Sequence, residues 1–303
     1  MMSKENIKVA ACQILNTEDV KKSTNKVIEK LNECAQQGIE IASFPEGTLF
    51  GYWGYNRAGF TKSNIRFVGP GYDFTMAGAV AYDRPEEFGA RYFDPSRFTV
   101  PQFNARIGYY FKDHWAISFG YDHMKYIFAD NNQVSLSGTI DPSVNAEWSG
   151  TYNAEPVVTD INNFHYENSD GLNYLRFELT RTDMLIKAGN NDWFAISTNA
   201  GIGLGGILSY NDFTFAGQKD VRTISMSGYG LSGHLGVRFE FFRHIFLQTS
   251  FGGGFMHQVK VRTRPNDPSS FARHAFGYME MNGVIGLLLY VRPTNSCDSC
   301  PVW

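Results

Sequence analysis

Four small groups of residues have the types and spacing to do chemistry. Glu46, in the segment Phe44-Pro45-Glu46-Gly47, follows a short apolar run and is a carboxylate that could serve a nucleophile as general base. Gly201, Gly203 and Gly206 satisfy G-x-G-x-x-G, the spacing of a dinucleotide-phosphate cradle. That cradle has to open a helix, whereas here an alternating stretch runs through it, so glycines on the inner face of a strand are the better reading. Cys297 and Cys300 have C-x-x-C spacing, suited to half a zinc site or a small disulfide. Without a second ligand pair, a disulfide or free thiols is favoured, and no metal or cofactor is expected. Ser232, His234 and Glu240 place a hydroxyl, an imidazole and a carboxylate on one face of a strand, but side chains two apart on a strand run parallel instead of converging.

A fifth group is larger: Arg106, Asp122, Arg176, Glu178, Arg238, Glu240 and Glu280. All seven fall on the polar face of segments that alternate with period two. In the stretch 102–112, Phe103, Ala105, Ile107, Tyr109 and Phe111 oppose Gln102, Asn104, Arg106, Gly108 and Lys112. Trp115, Ile117, Phe119 and Tyr121 oppose Ser118, Gly120 and Asp122; Leu175, Phe177 and Leu179 oppose Arg176 and Glu178. The pattern recurs over 193–208, 229–242, 246–255 and 279–291, and residues 50–60 supply a further segment. This predicts an all-β fold of eight antiparallel strands, each long enough to cross a hydrocarbon layer at a barrel tilt. Short turns at residues 112–114, 188–192 and 242–244 alternate with long connections over about 61–101, 129–171, 209–220 and 262–270, with both ends of the barrel on the short-turn side.

Composition narrows the function. Charged residues are 19% of the chain and the net charge is −3, which leaves no basic field to recruit nucleic acid. Mean hydropathy is −0.28 and no apolar run approaches the length of a membrane helix. The load of 25 Phe, 16 Tyr and 30 Gly points instead to strands. Alternation alone does not say which face is inside. A soluble lipocalin-like barrel would turn its apolar face inward, a transmembrane barrel outward. The polar face is rich in small residues, as a crowded lumen requires, and the apolar face is free of charge with aromatics near the strand ends; both favour the membrane form. Opposite charges in so narrow a lumen are expected to pair across strands and hold it closed.

Two stretches resemble known families. Residues 7–14 read as a strand, 20–37 as a helix stopped by Gly38, and 39–45 as a second strand. With Phe-Pro-Glu-Gly following, residues 6–52 resemble the opening of the nitrilase, or carbon-nitrogen hydrolase, superfamily, and the resemblance makes Glu46 the counterpart of its general base. The Lys and Cys motifs that complete that family's triad are missing downstream. Cys12 and Cys34 read as buried apolar positions. Residues 53–303, through stretches such as 97–126 and 164–179, resemble outer-membrane β-barrel proteins of the Bacteroidetes type, a family without an assigned activity. Two units are therefore expected: a βαβ-like N-terminal fragment over 1–50 and a barrel over 51–303, with a seam between them where Gly47–Tyr52 substitutes for the start of the first strand. The N-terminus shows no apolar core or cleavage site of a secretory signal. The resemblance implies the bacterial outer membrane, a non-enzymatic monomer in contact with lipid, and an extracellular ligand held by loops. A C–N hydrolase and a lipid-modifying enzyme are the alternatives.

Overall fold

A computed structural model describes residues 48–85, 102–112, 114–189 and 193–290, together with two short strands nearer the N-terminus. Those two, β1 (Val9–Ala11) and β2 (Ile41–Ser43), pair in parallel, Val9 opposite Ile41. The helix expected between them lies outside the described residues. In chain order there follow β3 (Thr48–Phe60), β4 (Ser63–Gly69), β5 (Tyr72–Ala79), β6 (Ala81–Tyr82), β7 (Phe103–Lys112), β8 (Trp115–Phe128), β9 (Gln133–Ile140) and β10 (Gly150–Val158). The last five are β11 (His165–Ala188), β12 (Phe194–Phe215), β13 (Gln218–Phe241), β14 (Ile245–Arg262) and β15 (Phe271–Tyr290).

Eight of these close a ring. The hydrogen-bonded path runs β3, β7, β8, β11, β12, β13, β14, β15, and β15 pairs back onto β3 from Tyr278↔Phe60 to Tyr290↔Thr48. Every pairing in the ring is antiparallel. β3 runs without a break through residues 50 and 51, and Leu49–Tyr55 are paired on both sides, to β15 and to β7. The segment beginning at Thr48 thus supplies the turn-side half of the first barrel strand.

The wall is apolar outside. Ile202, Leu235 and Met279 are 68%, 69% and 61% exposed, while Arg106, Asp122 and Glu178 behind them are buried. This is the inverse of a soluble barrel and identifies a transmembrane one. Trp115, Trp193 and Phe242 lie at the short-turn rim, and Tyr121, Tyr229 and Phe255 bound the other side of the apolar belt. In β15 the outward residues from Met279 to Leu289 make a belt about 25 Å tall, the height of a bacterial outer-membrane hydrocarbon layer.

The strands go well beyond that belt. β11 and β13 have 24 residues each, about 60 Å along the barrel axis at a typical tilt, so more than half of each stands clear of the hydrocarbon. Residues 209–220, expected as a long connection, are instead the upper ends of β12 and β13, joined through Ala216 and Gly217 with Phe215 opposite Gln218. Both turn residues have positive φ, 57° and 76°, the backbone of a two-residue turn matched to strand twist. The expected connection over 61–101 carries β4, β5 and β6, and that over 129–171 carries β9 and β10. Above the end of β3, the free edge of β15 takes up β4 through Phe271↔Val68 and Arg273↔Arg66, and the sheet continues to β5, β9 and β10.

That added sheet is one-sided, as antiparallel sheets with one wet face are. Ile65, Phe67, Phe74, Met76, Val134 and Leu136 are buried, and their neighbours Asn64, Arg66, Gln133 and Thr139 are exposed. Its apolar face joins Tyr126, Tyr166, Phe213, Phe215 and Phe276 of the barrel strands in one core. Phe213 stacks on Phe67 at 5.2 Å between ring centres, with the planes 5° apart. A Phe213→Ala chain is expected to lose about 3–5 kcal/mol from this cap, seen as earlier urea unfolding and faster tryptic cleavage at Arg66. Its unboiled form should still migrate fast in SDS, because the ring below is unaltered.

Candidate functional site: a charged layer in the lumen under an aromatic cap

Five of the seven charges expected in the lumen meet in one layer. Arg106 on β7 reaches Glu178 Oε1 with Nη1 at 2.5 Å and Asp122 Oδ2 with Nη2 at 3.1 Å. Arg176 on β11 sets Nε 2.7 Å from Asp122 Oδ2 and Nη2 3.2 Å from Glu280 Oε1 across the barrel on β15. Glu178 also accepts from Thr180 Oγ1 at 3.1 Å and faces His234 Nδ1 on β13 at 3.3 Å. Each side chain is buried, so each charge has exchanged water for its partners, and the layer holds only because opposite charges from β7, β8, β11 and β15 converge. Space comes from missing side chains. A Cβ on Gly120 would lie 2.5 Å from Arg106 Nε, and one on Gly203 would lie 2.7 Å from Ser232 Oγ.

The other two charges sit apart, nearer the short turns. Arg238 lies 4.2 Å above the Phe246 ring, donates from Nε to Gln248 at 3.0 Å and from Nη1 to the Tyr110 hydroxyl at 2.9 Å. Glu240 accepts from Ser197 Oγ at 3.3 Å and lies 3.9 Å from Arg238. Beneath them Phe50, Phe246, Val284 and Leu288 pack together and fill that end.

At the opposite end the lumen becomes apolar. Met124, Tyr126, Phe128, Tyr166, Phe213 and Phe276 are buried together there, although the lower parts of β8, β11 and β15 carry charge. One chain of hydrogen bonds crosses this cap. Ser63 on β4 bonds the Tyr126 hydroxyl at 3.0 Å and His274 Nδ1 at 3.2 Å; His274 Nε2 bonds Gln258 Oε1, and Gln258 Nε2 donates to Ser209 Oγ at 2.7 Å. Because the Gln258 carbonyl can only accept, His274 carries its proton on Nε2 and takes one from Ser63 on Nδ1. A single neutral tautomer therefore pins the added sheet to β14 and β15.

The remaining sequence candidates fall as follows. Glu46, Cys12, Cys34, Cys297 and Cys300 lie outside the described residues. Gly201 and Gly203 face the lumen within the unbroken strand β12, with no helix after them. Ser232, His234 and Glu240 do not form a set, since His234 faces Glu178 and Glu240 belongs to Arg238. Among the described residues, no three His, Cys, Asp or Glu side chains gather as metal ligands. Sequence reading placed the charges but missed both the membership of His234 in the layer and the cap. The signal for the cap was present in Tyr126, Phe128, Phe213 and Phe215, inward positions that change from polar to aromatic beyond the belt.

Two outcomes test this interior. Asp122→Asn removes the carboxylate shared by Arg106 and Arg176 and leaves both guanidinium groups under-compensated; a loss of about 3–5 kcal/mol is expected in urea titration of the detergent-folded chain, larger than for Ser118→Ala. The second concerns His274, which stands beyond the belt. Burial first and His257 second push its imidazole down to about 3. In the unfolded chain it takes a proton below about 6.5, so between these values the unfolded state binds more protons. Its contribution is complete above 6.5 and declines as pH falls towards 3. The urea midpoint of the Trp148 fluorescence signal should drop over that window, with a flatter profile in His274→Gln.

No protein-family model and no curated protein sequence matches the chain. Solved structures similar to it include the outer membrane protein OprG from Pseudomonas aeruginosa, at 11% identity and TM-score 0.36, covering 81% of this chain and 97% of that one. Neisserial surface protein A is 11% identical at TM-score 0.32, covering 80% and 99%. The outer membrane protease OmpT from Escherichia coli is 9% identical at TM-score 0.33, covering 80% and 97%. The assignment of this chain as a transmembrane β-barrel rests on its own ring closure and outward apolar belt.

Proposed function

We propose that this chain is a non-enzymatic barrel of the bacterial outer membrane, a closed anchor that holds a β-sheet platform and its loops in the extracellular space. The observation that carries the reading is that side chains from facing strands meet across the lumen at successive heights. An aromatic floor, the Arg238–Glu240 pair, the five-charge layer and the cap succeed one another along the axis, and eight strands leave little room beside them. A conducting or proton-handling pore would need a continuous wet path, and the aromatic cap argues against one.

The strand lengths support the same reading. Chain invested beyond the belt goes into β4, β5, β9 and β10, whose wet face offers Asn64, Arg66, Gln133 and Thr139. Contacts with a ligand are assigned to that face and to the loops instead of the sheet edge. β10 ends the sheet, yet a bulge between Tyr152 and Glu155, positive φ at Ala154 and Pro156 all oppose the addition of another strand. The enzyme alternatives have weaker support: Glu46 lacks its family's partners, and His234 points into the lumen at Glu178, away from any lipid substrate.

The test is planar-bilayer recording with the refolded full chain. No stepwise conductance is expected in the wild type, whereas a chain lacking the cap aromatics Phe67 and Phe213 (both →Ala) should at most flicker. Stable unitary steps in the wild type, altered by Glu280→Gln, would overturn the closed-anchor reading. Lipid deacylation lost in His234→Ala would favour the enzyme instead.

A further inference from the structure

Just beyond the apolar belt, β14 and β15 carry three cations on the outer wall: Lys260, Arg262 and Arg273. Tyr229 and His257 mark the upper limit of the belt there, the hydroxyl 3.3 Å from the imidazole Nδ1. Lys260 stands three residues further along β14, about 8 Å higher at a typical tilt, the level of head-group phosphates. The bulge between Gln258 and Val261 brings Lys260 to the surface and sets it next to β15. Lys260 Nζ and the Arg273 guanidinium lie 5.4 and 5.9 Å from the same Phe271 ring, and Phe271 is the register partner of Arg262.

Two of the three are held in place. Arg273 Nε donates to Val259 O at 3.0 Å, and Arg262 Nη2 donates to Pro265 O at 2.5 Å. Among the described residues, none of the three has a carboxylate in salt-bridge reach, whereas Arg66, Arg181 and Arg222 elsewhere on the surface are each neutralised by an aspartate. Lys260 and Arg262 line a groove whose other walls include Met226 and Pro268, and Met226, 62% exposed, continues the lipid-facing surface upward. A stripe of uncompensated positive charge directly above apolar wall is complementary to one kind of neighbour.

We infer that Lys260, Arg262 and Arg273 form a binding site for the phosphate groups of a phosphorylated glycolipid in the outer leaflet, with its acyl chains lying on the belt below. The site rests on the membrane placement of the barrel but not on whether the lumen conducts. It would fix the depth of the barrel and immobilise lipid beside β13–β15.

The experiment is native mass spectrometry of the full chain in detergent, titrated with bis-phosphorylated lipid A, its dephosphorylated form, phosphatidylcholine and inorganic phosphate. Bis-phosphorylated lipid A should bind, and each cation removed should weaken binding about fivefold, so K260Q/R262Q/R273Q should lose on the order of a hundredfold. Lys112→Gln, at the opposite rim, should bind as the wild type does. The fast-migrating SDS form checks that each variant is folded; its loss in the wild type would tell against the barrel itself, a separate failure. Equal binding by the triple variant, equal binding of dephosphorylated lipid A, or comparable binding of inorganic phosphate would overturn the site.

Discussion

Everything in this molecule depends on β3 closing onto β15. In a hydrocarbon layer no water is present to take an unpaired N–H or C=O, so a sheet is tolerated only when it has no edge. Thirteen residues, Thr48–Phe60, seal the ring against β15. The seal sits where two kinds of sequence meet. Leu49 faces the belt and Phe50 fills the floor, so the segment serves the barrel on both faces although it follows a stretch that reads differently.

Closure then dictates what the inside has to be. An eight-stranded ring has room for side chains and little else, and inward side chains must fill it without leaving a charge unpaired. The chain does so in two ways, chosen by height. Within the belt it uses ion pairs from facing strands, with inward glycines such as Gly120 making space for the guanidinium groups. Above the belt it uses aromatic packing, aided by strands that do not belong to the ring. The exchange of one for the other along single strands, Asp122 giving way to Tyr126 and Phe128 on β8, is what turns a lumen into a capped interior.

The cap also explains where β4, β5 and β9 gain their stability. None could stand alone: their apolar face is covered only because barrel strands rise past the membrane to meet it. Ser63 and His274 fasten the two parts through one shared proton arrangement. The same rise leaves the outer wall of β14 and β15 exposed at head-group level, which is why uncompensated cations there face lipid and not solvent alone.

The sequence by itself determined the number of barrel strands and their alternation, because period two is a local property that each strand displays independently. Alternation is symmetric and does not say which face is inside; the small residues of the polar face and the charge-free apolar face favoured the membrane form, and closure, with Ile202 and Leu235 exposed and Asp122 buried, decided it. The division of the charges into a five-membered layer and a separate Arg238–Glu240 pair depends on cross-barrel distances that no strand encodes alone. The extent of β12 was hidden because its upper inward residues Phe213 and Phe215 are apolar for packing against Phe67 of β4 and Phe74 of β5, a contact between segments more than a hundred residues apart in the chain. Local pattern thus specified the strands, and long-range packing specified what they enclose.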